Sequence, residues 1–361
     1  MESRRWPIVH ILGILNMNRT LSPLTAARLK SVSLVICIAL LLSGCSSSSD
    51  SSAGGSTSEA SGLQQVSLQL NWFPEAEHGG YYAADVHGYF ADEGLEVTLL
   101  PGGPNVPVVQ SVAAGRAAFA VTNADRVLFG HQAGAEVVAL FAPIQNTPRC
   151  IMVHRESGIS KLADLRDVTL AIGTGPAFFQ YMQKHLPLTG VETIAYPGSI
   201  GPFLANKRFA QQAYIFSEPY VAKQQGADPV ALMVSEIGYN PYASVLVASR
   251  KTLDTQSDLA QRIVRASARG WQKYLDDPAE TNALIDSINP DMDAGALAFG
   301  AEQIRPLCDR EAPSAPLGQM TAARWQTLID QMVEIELVDA DKVSAARVFD
   351  DRFIATTTTS P

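Results

Sequence analysis

The stretch that decides the fold runs from residue 66 to 125, VSLQLNWFPEAEHGGYYAADVHGYFADEGLEVTLLPGGPNVPVVQSVAAGRAAFAVTNAD. It opens on VSLQLNW, a short β-rich run that predicts a strand. From Gly79 to Glu93, the residues Tyr82, Val86, Tyr89 and Phe90 recur at i, i+4, i+7 and i+8. That is the spacing of one helix face, and Gly94 is placed to end the helix. LEVTLLPGG then predicts a second strand, VPVVQSVAAGRA a second helix, and AFAVTNAD a third strand with its turn. The resulting βαβαβ order is the mark of an α/β fold.

Downstream the same logic repeats. VVALFAPI and CIMVHRE add strands, and DLRDVTLAIGTGP opens a second unit. It contains strand VTLAIG, a Gly-Pro turn, helix AFFQYMQKHL, strand VETIAYP, a further helix and strand QAYIFS. After GYNPYA the run SVLVAS returns as a strand. Residues 259–349 read as mostly helical, with IVRASARGWQKYL and ARWQTLIDQMVEIEL amphipathic. The expectation is an α/β chain of two lobes joined by crossover strands. Residues 66–155 form the first part of lobe 1, 156–243 form lobe 2, and 244–361 return to lobe 1 as a largely helical part.

Upstream, the chain reads as export machinery. Arg4, Arg5, Arg19, Arg28 and Lys30 precede VSLVICIALLLSG, an apolar run too short to span a bilayer as a stable helix. Residues 1–44 are therefore expected to be a signal peptide, with Met17 an alternative start to Met1. Leu42-Ser43-Gly44-Cys45 resembles the bacterial lipoprotein signal, in which the cysteine receives lipid. The tract SSSSDSSAGGSTSEASG after it cannot bury apolar surface, and residues 45–65 are expected to act as a flexible tether to a membrane. Cys150 and Cys308 remain, compatible with a disulfide if the fold brings them together and equally with two buried thiols. A net charge of -9 excludes a nucleic-acid partner, which calls for a basic surface. No metal-ligand spacing appears among the histidines and cysteines, and the single GxG of GTGPAFFQ lacks a dinucleotide or P-loop fingerprint, so neither metal nor cofactor is expected.

Open α/β sheets bind ligands at the carboxyl ends of their strands. That rule selects Trp72, Asn123, Gly173, Thr174 and Glu218. Glu218, in FSEPY, is at a helix mouth behind the cap position Ser217; it reads equally as an ordinary N-terminal carboxylate and as an acceptor for a ligand amine or ring N–H. His78 and Tyr81 share a helix face, and Gly79 and Gly80 would allow close approach of a ligand or of the second lobe. Tyr239 and Tyr242, at the second crossover, could close over a flat ligand or simply pack a turn. No GxSxG elbow and no carboxylate pair at a suggestive spacing points to catalysis.

LQLNWFPEAEHGGYYAADVHGYFADEGLEV, VQSVAAGRAAFAVTNAD, SGISKLADLRDVTLAIGTG and YIFSEPY together resemble the substrate-binding proteins of ABC importers. The branch that the chain is most similar to binds thiamine pyrimidine precursors and shares ancestry with the eukaryotic synthase of that pyrimidine. The resemblance implies a two-lobed type II periplasmic-binding-protein fold with its ligand cleft between lobes, a monomer that delivers a small heteroaromatic ligand to an ABC permease and its ATPase. It places Trp72, His78, Tyr81, Asn123, Thr174, Phe178, Glu218 and Tyr239 at the cleft. Aromatic rings would stack on an aminopyrimidine while Glu218 accepts from its amine. TNADRVLFG lacks the cysteine-rich cluster, lysine and histidine of the synthase branch, which argues against that activity. Relatives of the family also take riboflavin, sulfonates or nitrate; a cleft carboxylate disfavours the anions. An exported enzyme or a tethered sensor on the same fold are the competing classes.

Overall fold

Ten strands account for the sheets of the described residues: β1 (Gln64–Gln69), β2 (Leu95–Leu100), β3 (Phe119–Thr122), β4 (Val137–Phe141), β5 (Arg149–His154), β6 (Thr169–Ile172), β7 (Glu192–Ala195), β8 (Phe209–Tyr214), β9 (Pro229–Met233) and β10 (Val245–Ser249). The computed structural model describes residues 62–104, 106–309 and 314–354. The expected signal peptide, the Cys45 lipid site and the tether as far as residue 61 lie outside the described residues.

The strands form two five-stranded sheets, ordered β2-β1-β3-β10-β4 and β7-β6-β8-β5-β9. Both have the order 2-1-3-n-4, where strand n runs antiparallel to both neighbours: β10 in the first sheet, β5 in the second. Each inserted strand comes from across the molecule, so the chain passes between the sheets twice, at residues 142–148 and 234–244. The two passages lie side by side. Asn240 Oδ1 accepts the Thr147 N–H at 2.8 Å, and Asn240 Nδ2 donates to Asn146 Oδ1 at 2.9 Å. Strands β3, β4 and β10 are buried along their whole length, consistent with apolar runs covered on both faces.

Several expectations change here. The run CIMVHRE, assigned to the first lobe from sequence, pairs with β8 and β9 in the second sheet, so the first change of sheet falls before Arg149 rather than near residue 155. Pro229–Met233 is a strand that the sequence reading passed over. The expected helix from Gly79 to Glu93 breaks at Gly88, whose φ of 71° leaves two helices, Gly79–Val86 and Tyr89–Asp92. Within it Tyr82 and Phe90 are buried, whereas Val86 and Tyr89 are only partly so. Cys150 and Cys308 are both free and buried, in different cores.

The helix Ser257–Asp276 shows why the break matters. Its buried residues Leu259, Ile263, Ala266, Gly270 and Tyr274 repeat at three- and four-residue spacing and form one apolar stripe. The stripe packs on Gly79–Val86, the Trp271 ring against Gly80 and the Tyr274 ring against Gly79. Gly270 in turn faces the Gly80 carbonyl and the Ala84 backbone. Gly79 and Gly80 thus admit two aromatic rings of a neighbouring helix, neither the ligand nor the second lobe that the sequence suggested. On the outer face Arg265 pairs with Glu93 at 2.6 Å and Arg269 with Asp92 at 2.8 Å, which ties down the segment after the break.

Any side chain at Gly270 would drive its Cβ into the Gly80 carbonyl and the Ala84 backbone. Gly270→Ala is therefore expected to destabilise the protein by about 1–3 kcal/mol in urea unfolding, the usual range for overpacking. Gly201→Ala, at a helix start with open surroundings, is expected to stay within about 0.5 kcal/mol of the parent. Equal effects at the two positions would contradict this packing.

Candidate functional site

The carboxyl ends of β1, β2 and β3 from the first sheet and of β7 and β8 from the second open onto one cavity of about 430 Å³. Asn71 and Trp72 follow β1, and Gly103 and Pro104 come after β2. Thr122 and Asn123 end β3, and Arg126 and Phe129 lie on the helix Ala124–Gln132 that follows. The second sheet contributes Arg149 at the start of β5, Phe178 on the helix Ala177–His185, Tyr196 after β7, and Gln212 and Tyr214 on β8. Glu218 begins the helix Glu218–Gln224 and completes that wall.

Three carboxyls line the cavity. Glu218 Oε1 accepts from the Tyr196 hydroxyl at 3.0 Å, and its Oε2 accepts from the Tyr214 N–H at 2.9 Å. Burial still pushes its pKa upward, against those hydrogen bonds. Glu75 caps a short 3-10 turn, Ala76–His78, Glu77 is its middle residue, and both are almost wholly buried. Glu75 is raised well above the usual carboxylate range, first by burial and then by the charges of Glu77 and Glu218. Glu77 is pushed up to about 7 by burial, although a hydrogen bond from Asn71 and the charge of Arg149 act in the opposite direction.

Arg149 balances this acidity. Its guanidinium stands 5.2 Å from the Phe178 ring centre and 5.3 Å from that of Tyr214, a stacked setting in which a cation tolerates desolvation. Burial opposes its charge, yet Tyr214, Asp125, Tyr239 and Glu77 together raise its pKa.

The structure brings Trp72, Asn123, Phe178 and Glu218 to the cavity, the first two and Glu218 expected from their strand-end positions and Phe178 from the family resemblance. Four other expected residues do not line it. Tyr81 is fully buried edge-on to Trp271, with its hydroxyl donating to Ser244 O at 2.7 Å. Tyr239 is likewise buried, against Tyr181, with its hydroxyl directed at Met332 Sδ. Thr174 is exposed outside the cavity, beyond Gly173, whose N–H is taken by Gln212 Oε1 at 2.8 Å. His78 stands one layer behind. It is fully buried, held neutral by burial with its pKa lowered to about 3, and donates from Nε2 to Asn71 Oδ1 at 2.9 Å. Asn71 Nδ2 in turn donates to Glu77 Oε1 at 3.4 Å, so His78 orients a cavity residue rather than touching the cavity itself.

Sequence reading missed Glu75, Glu77, Arg149, Tyr196, Gln212 and Tyr214. The pair Glu75–Glu77 had a usable signal: PEAEH sets two carboxyls directly after a strand that ends at the ligand-binding edge of the sheet. Arg149 had none, because its place depends on β5 crossing to the second sheet.

Two mixed sheets of order 2-1-3-n-4 with a shared cavity at their strand ends define the periplasmic-binding-protein fold. The periplasmic aliphatic sulphonate binding protein SsuA from Escherichia coli superposes with a TM-score of 0.62 at 15% identity, over 82% of this chain and 96% of that one, which establishes the fold. A family model described as NMT1/THI5 like matches residues 75–281, and the chain belongs to that family. It is 26% identical over 290 residues to the riboflavin-binding protein RibY of Chloroflexus aurantiacus, covering 75% of this chain and 82% of the relative. It is 25% identical over 324 residues to the formylaminopyrimidine-binding protein of Halalkalibacterium halodurans, covering 83% and 92%.

The raised pKa of Glu77 has a consequence for stability. Its acid form is favoured in the folded state, so the contribution is full below the ordinary value of 4.5 and is lost as pH rises towards about 7. The loss is on the order of 3 kcal/mol for a shift of this size. The melting temperature of the ligand-free protein is expected to fall across that window, and Glu77→Gln to flatten the fall. An unchanged slope in the variant would contradict the assignment.

Proposed function

We propose that the chain is an extracytoplasmic solute-binding lipoprotein of an ABC importer, anchored through lipid on Cys45, that captures a thiamine pyrimidine precursor of the hydroxymethylpyrimidine or formylaminopyrimidine type. The observation that carries this reading is the pairing of three carboxyls, Glu75, Glu77 and Glu218, with the flat walls of Trp72, Phe178, Tyr196 and Tyr214 in one cavity. Aromatic faces stack on a heteroaromatic ring, and carboxyls take its amine and ring nitrogens. The similarity to a formylaminopyrimidine-binding protein supports the same ligand class.

A second heteroaromatic, riboflavin, is favoured by one specific observation: a cavity of about 430 Å³ exceeds what a single pyrimidine ring fills. Anions such as sulfonate or nitrate suit the site less. Arg126 and Arg149 offer them cations, but three carboxyls line the same cavity. In this reading the cavity side chains serve as binding contacts, and the ligand passes unaltered to the permease.

Calorimetry with aminopyrimidines, riboflavin, taurine and nitrate tests the reading. A heteroaromatic is expected to bind and to be recovered chemically unchanged; binding of an anion alone, or recovery of an altered ligand, would overturn it. Glu218→Gln replaces one acceptor of the Tyr196 hydroxyl or Tyr214 N–H by a donor, and is expected to weaken the heteroaromatic by about 1.5–3 kcal/mol. Cys45→Ser is expected to move the protein from the membrane fraction to the soluble extracytoplasmic fraction; retention at the membrane would refute the anchor.

A further inference from the structure

The three cavity carboxyls are not equivalent. Glu218 has a protein hydrogen bond on each oxygen, and Glu77 receives the Asn71 amide on Oε1. Glu75 has no hydrogen bond to either oxygen among the described residues, although only 5% of the residue is exposed and it lines the cavity. A buried carboxyl left without partners is costly, and the cavity is the place where a partner could arrive.

Its position is fixed from both sides. The Pro74 carbonyl accepts from Asn289 Nδ2 at 2.7 Å, and the Glu75 carbonyl accepts the His78 N–H at 3.0 Å. The backbone at Glu75 is extended, with φ −156° and ψ −178°. The charged and titratable groups acting on the carboxyl are Glu77 from its own turn, Glu218 and Tyr196 from the second sheet's wall, and Tyr274 from the helix behind it.

We propose that the Glu75 carboxyl receives an amidine-type edge of the ligand, a ring nitrogen beside an exocyclic amine, through two parallel hydrogen bonds. The inference rests on the heteroaromatic reading above and narrows it to ligands with that edge. In the acid form one Glu75 oxygen donates O–H to the ring nitrogen and the other accepts the amine N–H. If the proton passes to the ring, both ring N–H and amine N–H donate to the carboxylate. Either way the pair keeps two hydrogen bonds, and the proton lies between ligand and carboxyl. The nearby Glu77 and Glu218 oppose an uncompensated negative charge on Glu75, which favours a partner that shares a proton with it over one that only accepts.

The test is calorimetry at pH 7 with 4-amino-5-hydroxymethyl-2-methylpyrimidine and its counterpart lacking the 4-amino group, on the parent, Glu75→Gln and Glu75→Ala, with melting curves to verify folding. Glu75→Ala is expected to weaken the amine at least tenfold and the amine-free ligand less than threefold. Glu75→Gln, which retains one donor and one acceptor, is expected to stay within about fivefold of the parent for the amine. An amine affinity within twofold of the parent in Glu75→Ala, or equal losses for both ligands, would overturn the inference and leave the heteroaromatic reading standing. Failure of the parent to bind either pyrimidine, riboflavin or any other heteroaromatic would remove both.

Discussion

The close contact between the helices Gly79–Val86 and Ser257–Asp276 is the constraint on which the site depends. Glycines at 79, 80 and 270 let two aromatic side chains and two backbones meet, and Trp271 and Tyr274 are buried by it. Each ring removes on the order of 150–250 Å² from water, a gross gain of roughly 4–6 kcal/mol before entropy. The contact fixes the start of the first helix, and therefore the turn Ala76–His78 and its cap Glu75, which together hold two of the cavity carboxyls. Ser244 completes the clamp: its hydroxyl donates to Glu77 O at 2.9 Å, and its carbonyl accepts from Tyr81. Ser244 adopts a φ of 52° immediately before β10, so the returning crossover and the site-bearing turn are held together.

From that scaffold follows an electrostatic arrangement unusual for a protein interior. Three carboxyls and two arginines, Arg126 and Arg149, line a single cavity, and desolvation shifts the acids towards their neutral forms. Buried polar groups of this kind are expensive unless something completes their hydrogen bonds. The heteroaromatic ligand proposed above, rich in N–H groups and with flat faces, would complete those bonds. Arg149, stacked between Phe178 and Tyr214, brings positive charge into the same cavity.

Much of the fold was legible because hydrophobic periodicity and turn residues report local structure directly. The βαβαβ order of the first sheet, the second unit and the long helix after Leu259 all follow from such patterns. What was not legible depended on long-range pairing. Strand β5 is as apolar as a first-sheet strand, and nothing in CIMVHRE records that it inserts between β8 and β9. The site showed the same division. Trp72, Asn123 and Glu218 followed from the rule that ligands bind at strand ends. Tyr81 and Tyr239 were misplaced because an aromatic beside a cleft and one in the core look alike in sequence. Glycines 79 and 80 were read as access for a ligand, when their partner was a helix nearly two hundred residues further along the chain. His78 occupies an intermediate place, near enough to the site to orient Asn71 and too deeply buried to meet a ligand.

The central claim is that this cavity holds a nitrogen heteroaromatic. Native mass spectrometry of the protein, purified from its source without denaturation, tests it most directly by weighing and fragmenting whatever small molecule remains bound. An amine-bearing heteroaromatic at one molecule per chain is expected. A bound sulfonate or other anion lacking such a ring would contradict it.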